Sequence, residues 1–484
     1  MNHLARALAP VLVAAGLIVT GGSTAPAGAA GGPTGDAVTI MSQVSLSGYD
    51  VATASDGTTY LGWIGDDLTD PGLRALYLCV LKATSSGCVG GVQSASALGS
   101  SSAQNLRIVI TGGKPVLVWI AQVAPSTGEF SGVFGTNTVT NGQLGSSVSV
   151  PQAPTLGTLT SAIRGPGGAI SAAVIGSGTN GSHVYYYPDL AASPREFTRP
   201  YMVGNAQIAD NGKQTVLTTS PYGSITDPVN VAFKQSAGSG WSSFSKVPHA
   251  IPLGGIERLQ VAGKKIRMVG PSDKALYRAY TWTWKKRSFR GPKATSDPND
   301  ISTVDTTSDA SRRLASVHSE VKGLAVSNFG SKARPGRFLL KVKNTYAGGP
   351  AQIATSPSGR GWVIYSVERT GVPGQILKAQ KIKLSAVTRT VKKNTRAGKV
   401  LVTGPSSCMP VSTLRVGVKG KPAAKWKVVS KTLKLGSKAQ GKTLKGTSLK
   451  PNHAYKLTGS VVFAKGGARV KGQATVKFTT CGRP

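Results

Sequence analysis

Ala54-Ser55-Asp56-Gly57-Thr58-Thr59-Tyr60-Leu61-Gly62-Trp63-Ile64-Gly65 sets a tight turn at Ser55 to Gly57 directly before an apolar run from Tyr60 to Ile64. Glycine in the second turn position accepts the positive φ that a short hairpin requires. Six later stretches repeat the arrangement, centred on Gly112-Gly113, Gly167-Gly168, Asn211-Gly212, Ala262-Gly263, Ala310-Ser311 and Ser358-Gly359, at successive intervals of 56, 55, 44, 51, 48 and 48 residues. A strand, a tight turn and a second strand recurring at this period are the signature of a radial β-array.

After the turns come Val116 to Ile120, Ile170 to Ile175, Val216-Leu217, Ile266 to Val269, Leu314 to Val317 and Trp362 to Tyr365. Several are apolar on both faces, as an inner strand sandwiched between neighbouring blades would be. More alternating segments, Gly145 to Val148, Phe197 to Pro200, Trp241 to Phe244 and Arg287 to Arg290, precede the next unit and read as outer strands. The expectation is a seven-bladed β-propeller over residues 36–385, with the strand at Val38 to Met41 completing the last blade. A plain array of β-sandwiches is the structural alternative.

This architecture resembles that of secreted sialidase-like and lectin-like propellers. The sialidase-like Asp-box runs Ser-x-Asp-x-Gly-x-Thr-Trp, and the nearest match, Ser55-Asp56-Gly57-Thr58-Thr59-Tyr60, sets Asp and Gly adjacent and lacks the Trp. The resemblance therefore implies the fold, and sialidase activity does not transfer with it.

Residues 1–29 read as a secretory signal peptide: Arg6, an apolar run from Ala7 to Val19, then the small-residue exit Ala25, Ala27, Ala29. No later stretch approaches the ~20 apolar residues of a membrane span, so a secreted chain, extracellular or wall-associated, is expected. Glycine at 61 and proline at 28 of 484 residues, with 6% aromatics, point to turns and strands and to almost no helix. Export favours disulfides, and chain separation favours Cys79 with Cys88 and Cys408 with Cys481. By loop-closure entropy these contribute ~3 and ~4 kcal/mol. No zinc-ligand spacing occurs, and no metal or cofactor is expected.

All 19 Asp and Glu lie between Asp36 and Glu368, while residues 369–484 carry 26 Lys and Arg and no acid. A block of like charge this large repels itself and is best matched by an anionic neighbour. Anionic cell-wall polymer or acidic polysaccharide fits an exported chain. Physiological nucleic acid is not expected, because no basic stripe is interleaved with aromatics at a stacking spacing.

Residues 386–399 read as a basic linker, and 400–484 as an immunoglobulin-like β-sandwich with strands near Thr413 to Val418, Lys425 to Leu435, Ala454 to Ala464 and Gln473 to Thr479. Leu449-Lys450-Pro451-Asn452-His453-Ala454-Tyr455 resembles the tyrosine corner of fibronectin type III and related sandwiches.

Two nucleotide-like strings carry no nucleotide chemistry. Gly436 to Thr443 spells a P-loop but runs into Leu444 to Pro451, which forms no helix of useful length, in a segment without a carboxylate for magnesium. Gly176-Ser177-Gly178-Thr179-Asn180-Gly181 spells a dinucleotide fingerprint between two strands, where a hairpin turn is expected. Asp66, Asp67 and Asp70 form an acidic loop of the kind that solvates a turn or holds calcium. The histidines His183, His249, His318 and His453 show no metal spacing and no nucleophile partner.

Trp282, Trp284, Lys285, Lys286, Arg287 and Arg290 form the candidate binding patch, with indoles to stack on a sugar and cations to pair with an anionic group; a solvated hairpin tip is the plainer reading. No catalytic residue is assigned. Asp56, Asp210, Glu257, Asp305 and Glu320 would matter if two of them faced each other across a central funnel. The leading expectation is a non-catalytic binding protein whose propeller face takes a carbohydrate or protein ligand and whose basic tail adheres to an anionic surface. The alternative is a secreted propeller glycosidase or lyase with a C-terminal binding module.

Overall fold

Ala54 to Gly65 joins the first two strands of a four-stranded antiparallel sheet, Gly48–Thr53 and Thr59–Asp66, which continues through Arg74–Leu81 and Val92–Ala95. Gly57 takes φ 93°, and its counterpart Gly212 takes 80°. The computed structural model describes residues 31–480 apart from 45, 47, 68–72, 83, 96–104, 124–130, 152–156, 179, 180, 225, 239, 253–257, 263, 264, 295–303, 309–313, 321, 322, 330–335, 341–345, 348–350, 357, 358, 369–373, 385–387, 406, 407, 410–412, 451 and 452. The expected signal peptide and Cys481 lie outside these residues.

The strand Gly31–Val44 is β1, and the strands that precede the seven turns are β2 (Gly48–Thr53), β3 (Asn105–Thr111), β4 (Gly157–Arg164), β5 (Val203–Asp210), β6 (Arg258–Ala262), β7 (Val304–Ser308) and β8 (Gln352–Thr355). Each of β2 to β8 opens its own antiparallel sheet, so the described residues up to 384 form seven sheets of four or five strands. Every first strand touches the first strand of the next sheet, and β8 returns to β2, closing a ring. Apolar clusters fill the spaces between consecutive sheets. Ile64, Leu76 and Leu78 meet Leu106, Leu117 and Trp119 between the first and second. Leu61, Trp63 and Tyr77 meet Trp362, Ile364 and Leu377 between the first and last. The fold is all-β and propeller-like.

The strands after the turns, expected to be inner strands sandwiched between neighbouring blades, are second in each sheet. They are paired on both edges and covered on both faces, so Leu61, Trp63, Ile64, Leu117, Val118, Val216 and Leu217 are buried. The first strands leave one edge toward the centre and carry the polar residues. This explains why an apolar run marked the second position.

The last sheet runs β8, β9 (Arg360–Glu368), β10 (Gln375–Leu384) and then β1, which pairs antiparallel with β10 from Gly31↔Leu384 to Val44↔Gln375. Gln380 Nε2 also donates to the Gly35 carbonyl at 2.8 Å. The N-terminal strand thus supplies the outer strand of the last sheet.

Residues 388–480 pack as two facing sheets. One holds β11 (Thr388–Thr395), β12 (Gly398–Pro405) and β13 (Gly417–Pro422); the other is built on β14 (Lys427–Leu435), β15 (Ala454–Lys465) and β16 (Ala468–Thr480). The segment expected as a linker is instead the first hairpin of this unit, because Val391 packs on the core while Lys392 and Lys393 stay in solvent. Val400, Val402, Leu457, Val461, Phe463, Val476 and Phe478 form that core. The Lys450 N–H donates to the Tyr455 hydroxyl at 2.9 Å, the arch anticipated from Leu449 to Tyr455. Gly436 to Thr443 is a turn between short strands, and Gly178 and Gly181 face each other across a hairpin, so neither holds a phosphate against a helix.

Cys79 and Cys88 are disulfide-bonded. Cys408 pairs in parallel register with Thr479, two residues before Cys481. Peptide mapping of the unreduced chain is expected to recover both Cys79–Cys88 and Cys408–Cys481; free thiols at the latter positions would contradict the pairing. Gly135 stands opposite Trp119 on the neighbouring strand, and a Cβ there would lie 2.3 Å from the Trp119 ring. That ring is buried and its Nε1 donates to Asn137 Oδ1 at 2.7 Å, so it has no easy retreat. Gly135→Ala is therefore expected to cost about 1–3 kcal/mol of unfolding free energy, measured by denaturant titration.

Candidate functional site

Thr281-Trp282-Thr283-Trp284 alternates, so both indoles lie on one face of the sheet, and that face packs inward. Trp282 is 0% and Trp284 6% exposed. Trp282 Nε1 donates to the Pro248 carbonyl and Trp284 Nε1 to Gln214 Oε1, each at 2.8 Å, tying the fifth sheet to the fourth. The two tryptophans are core and present no stacking surface, which corrects the expected patch. Lys285, Lys286, Arg287 and Arg290 are exposed around the hairpin tip, with Lys286 at φ 57°. The period-two spacing of the tryptophans was the available signal of their burial.

At the centre of the ring, the first strands enclose a cavity of about 390 Å³ that Asp50, Arg107, Arg164, Gln207, Asp210 and Arg258 help to line. Neighbouring first strands share no backbone ladder, and side chains cross between them. Asp50 Oδ2 accepts from the Ile108 N–H at 2.6 Å. Arg107 donates through Nε and Nη2 to the Thr160 carbonyl at 3.2 and 2.9 Å. Gln207 Nε2 donates to the same carbonyl at 3.0 Å, and Ser161 Oγ accepts from the Ile208 N–H at 3.3 Å. Gln352 Nε2 donates to the Tyr49 carbonyl at 2.6 Å, joining the last sheet to the first. Asp50, which carries no motif in the sequence, is thus one of the acids that face the channel.

Asp210 also reaches the cavity, yet its oxygens accept from the Gly212 N–H and the Ser236 and Thr215 hydroxyls. Asp56 caps its own turn by accepting from the Thr58 N–H and hydroxyl. It lies in a second depression, between the first two sheets, beside Tyr60, Lys82 and Lys114. Burial, followed by the charge of Asp56, raises the Tyr60 phenol above its ordinary pKa and keeps it a neutral hydroxyl. Glu257 lies outside the described residues, as do the side chains of Asp305 and Glu320. Of the acidic loop, Asp66 is paired with Arg74 at 2.6 Å, and Asp70 is outside the described residues. His249 pairs with Asp273 at 3.0 Å and His183 with Glu196. Among the described residues no group of His, Cys, Asp and Glu converges as a metal site would.

The largest electrostatic feature is the C-terminal sandwich. Lys392, Lys399, Lys419 and Lys421 are exposed on the outer face of its three-stranded sheet, and Lys427, Lys434, Lys456, Lys471 and Lys477 on that of the other. No acid occurs in this part of the chain to pair with them.

No protein-family model matches the sequence, and no curated protein matches it. Solved structures that resemble the fold include a protein of unknown function from Dyadobacter fermentans, at 11% identity and TM-score 0.44, covering 73% of this chain and 100% of that one. A puromycin-hydrolyzing peptidase from Mycobacterium tuberculosis matches at 12% identity and TM-score 0.44 over 74% of this chain and 57% of its own. A Trypanosoma rangeli sialidase matches at 8% identity and TM-score 0.38, over 89% and 83%. The likeness is one of β architecture and carries no chemistry across.

Asp50→Ala removes the acceptor of a backbone N–H between two sheets and is expected to cost about 1–3 kcal/mol, with Asp50→Asn, which keeps an acceptor oxygen, costing less. Denaturant unfolding of both variants checks the order.

Proposed function

We propose that this chain is an exported, non-catalytic adhesion protein: a seven-bladed propeller that takes a carbohydrate or protein ligand, joined to an immunoglobulin- or fibronectin-III-like sandwich that holds an anionic cell-surface polymer. The single observation that carries the reading is the acid-free, Lys-rich C-terminal run, whose residues 388–480 fold so that cations line both outer faces of the sandwich. A surface that repels itself this strongly is relieved when counter-anions are supplied by a partner. The leader-like residues 1–29 and the Cys79–Cys88 disulfide support an extracytoplasmic setting. Exposed Lys285, Lys286, Arg287 and Arg290 add cations to the propeller side.

The rival reading, a sialidase-like glycosidase or lyase, needs carboxylates free to exchange protons or attack. The channel acids Asp50 and Asp210 instead accept from backbone N–H groups and hydroxyls that hold strands and turns together. Binding without catalysis is favoured for that reason.

Retention of the full chain on purified anionic wall polymer is expected to fall steeply with salt. Engagement of six or more anionic groups implies about a thousandfold loss of affinity between roughly 50 and 200 mM. Retention indifferent to salt would sink the electrostatic basis of the proposal.

A further inference from the structure

The cations of the sandwich are not equivalent. On the outer face of the sheet formed by β11, β12 and β13, two cross-strand rows stand side by side. Lys392, Leu401 and Lys419 make one; Asn394, Lys399 and Lys421 make the other. The inward neighbours fix the orientation: Val400 and Val402 are fully buried, and a Cβ on Gly420 would strike Val461 and Val428 of the opposite sheet. Lys392, Lys399, Lys419 and Lys421 are accordingly exposed. Lys399 and Lys421 face each other directly, as Lys456 and Lys477 do on the other sheet, which places their Cβ atoms about 5 Å apart, a like-charge arrangement that destabilises a sheet. At the same end, the Ala423 N–H donates to the Ala397 carbonyl at 3.0 Å, bringing the exposed turns that carry Arg396 and Lys425 alongside.

We propose that this face is the docking site for a linear polyol phosphate chain, such as a glycerol-phosphate polymer. The inference rests on the reading of the basic sandwich as the anion-binding part of the protein and names where it binds and what. Three observations select the occupant. Outward residues on one strand recur every six backbone bonds, about 7 Å, and a glycerol-phosphate repeat also spans six backbone bonds, extending about 7 Å. Lys419 and Lys421 therefore meet successive phosphates, with Lys399 beside them on the adjacent strand β12 and Lys392 one strand further away on β11, across Leu401. All four cations on the two rows are Lys, compact point charges that suit a phosphodiester, and the spacing of about 7 Å is longer than the roughly 5 Å repeat of a uronate chain. Finally, neither row holds an aromatic side chain, so nothing offers a stack for a nucleobase or a sugar ring. Charge complementarity, repeat length and the absence of aromatics agree on a polymer of phosphates without bases.

The test compares the full chain with two variants of equal charge loss. One carries Lys392→Gln, Lys399→Gln, Lys419→Gln and Lys421→Gln; the other carries Lys427→Gln, Lys434→Gln, Lys456→Gln and Lys471→Gln on the opposite outer face. Thermal unfolding confirms that each is folded, and neither is expected to melt lower than the parent, because each loses a directly opposed Lys pair, Lys399 with Lys421 in the first and Lys456 with Lys477 in the second. Affinity is measured against poly(glycerol phosphate), polygalacturonate and oligo(dT) across a salt series. The proposal expects the first variant to lose more than about tenfold in affinity for poly(glycerol phosphate), with its salt slope reduced by about 3, while the second loses far less. Equal losses in the two variants would overturn this face as the site and leave the general anion-binding reading standing. Tighter binding of polygalacturonate or oligo(dT) than of poly(glycerol phosphate) would overturn the choice of occupant. No salt-sensitive binding of the parent chain to any of the three would overturn this inference together with the reading beneath it.

Discussion

Sheets that radiate from a common axis cannot hydrogen-bond to one another along their inner edges, so the first strand of each sheet presents backbone groups that its neighbours must satisfy with side chains. Asp50, Arg107, Ser161, Gln207 and Gln352 meet that need, each reaching the backbone of an adjacent first strand. The polar lining of the channel follows from this constraint before any ligand is considered. Apolar packing between sheets supplies the bulk of the burial, with Trp63, Trp282 and Trp362 wholly or almost wholly enclosed. The bridges set the order and spacing of the sheets that this packing holds.

The C-terminal unit solves a different problem. Its surface charge opposes compaction, yet its two sheets approach closely because Gly404, Gly420, Gly459 and Gly472 sit where a Cβ would collide with Leu457, Val461, Val402 and Val400. Side chains from one sheet fill the space over the glycines of the other, giving Val400, Val402, Leu457, Val461, Phe463 and Val476 complete burial. Interior packing of this kind permits an exterior governed by charge alone. The two parts of the chain thus differ: in the ring polar side chains bridge neighbouring sheets, whereas in the sandwich the lysines of both outer faces are exposed to solvent.

The seven-fold spacing of turns was legible because a turn needs particular residues, and glycines such as Gly57 and Gly212 advertise it locally. The pairing of the N-terminal strand with the last sheet was legible too, since a lone strand ahead of the first unit had to find a partner. Apolarity on both faces marked the strands covered on two sides, such as Thr59–Asp66, though it says nothing of distance from an axis. Trp282 and Trp284 misled: an aromatic beside a Lys cluster looks like a platform until its neighbour in the fold, Gln214, is known. The charge of residues 386–399 suggests a linker, and only the pairing of Thr388–Thr395 with Gly398–Pro405 reveals that Val391 faces a core. Asp50 carried no local signal at all; its partner Ile108 is remote in sequence.

Pairing of β1 with β10 joins residues as far apart as Gly35 and Gln380, a separation of 345. During N-to-C synthesis β1 waits, with no ladder partner on either edge, until nearly the whole ring has been made. Loop-closure entropy makes such a contact slow to form, and an open strand edge invites pairing with other chains in the interval. The first segment of the ring is therefore the last to be secured, and its folding is exposed to concentration and crowding in a way that the local hairpins are not.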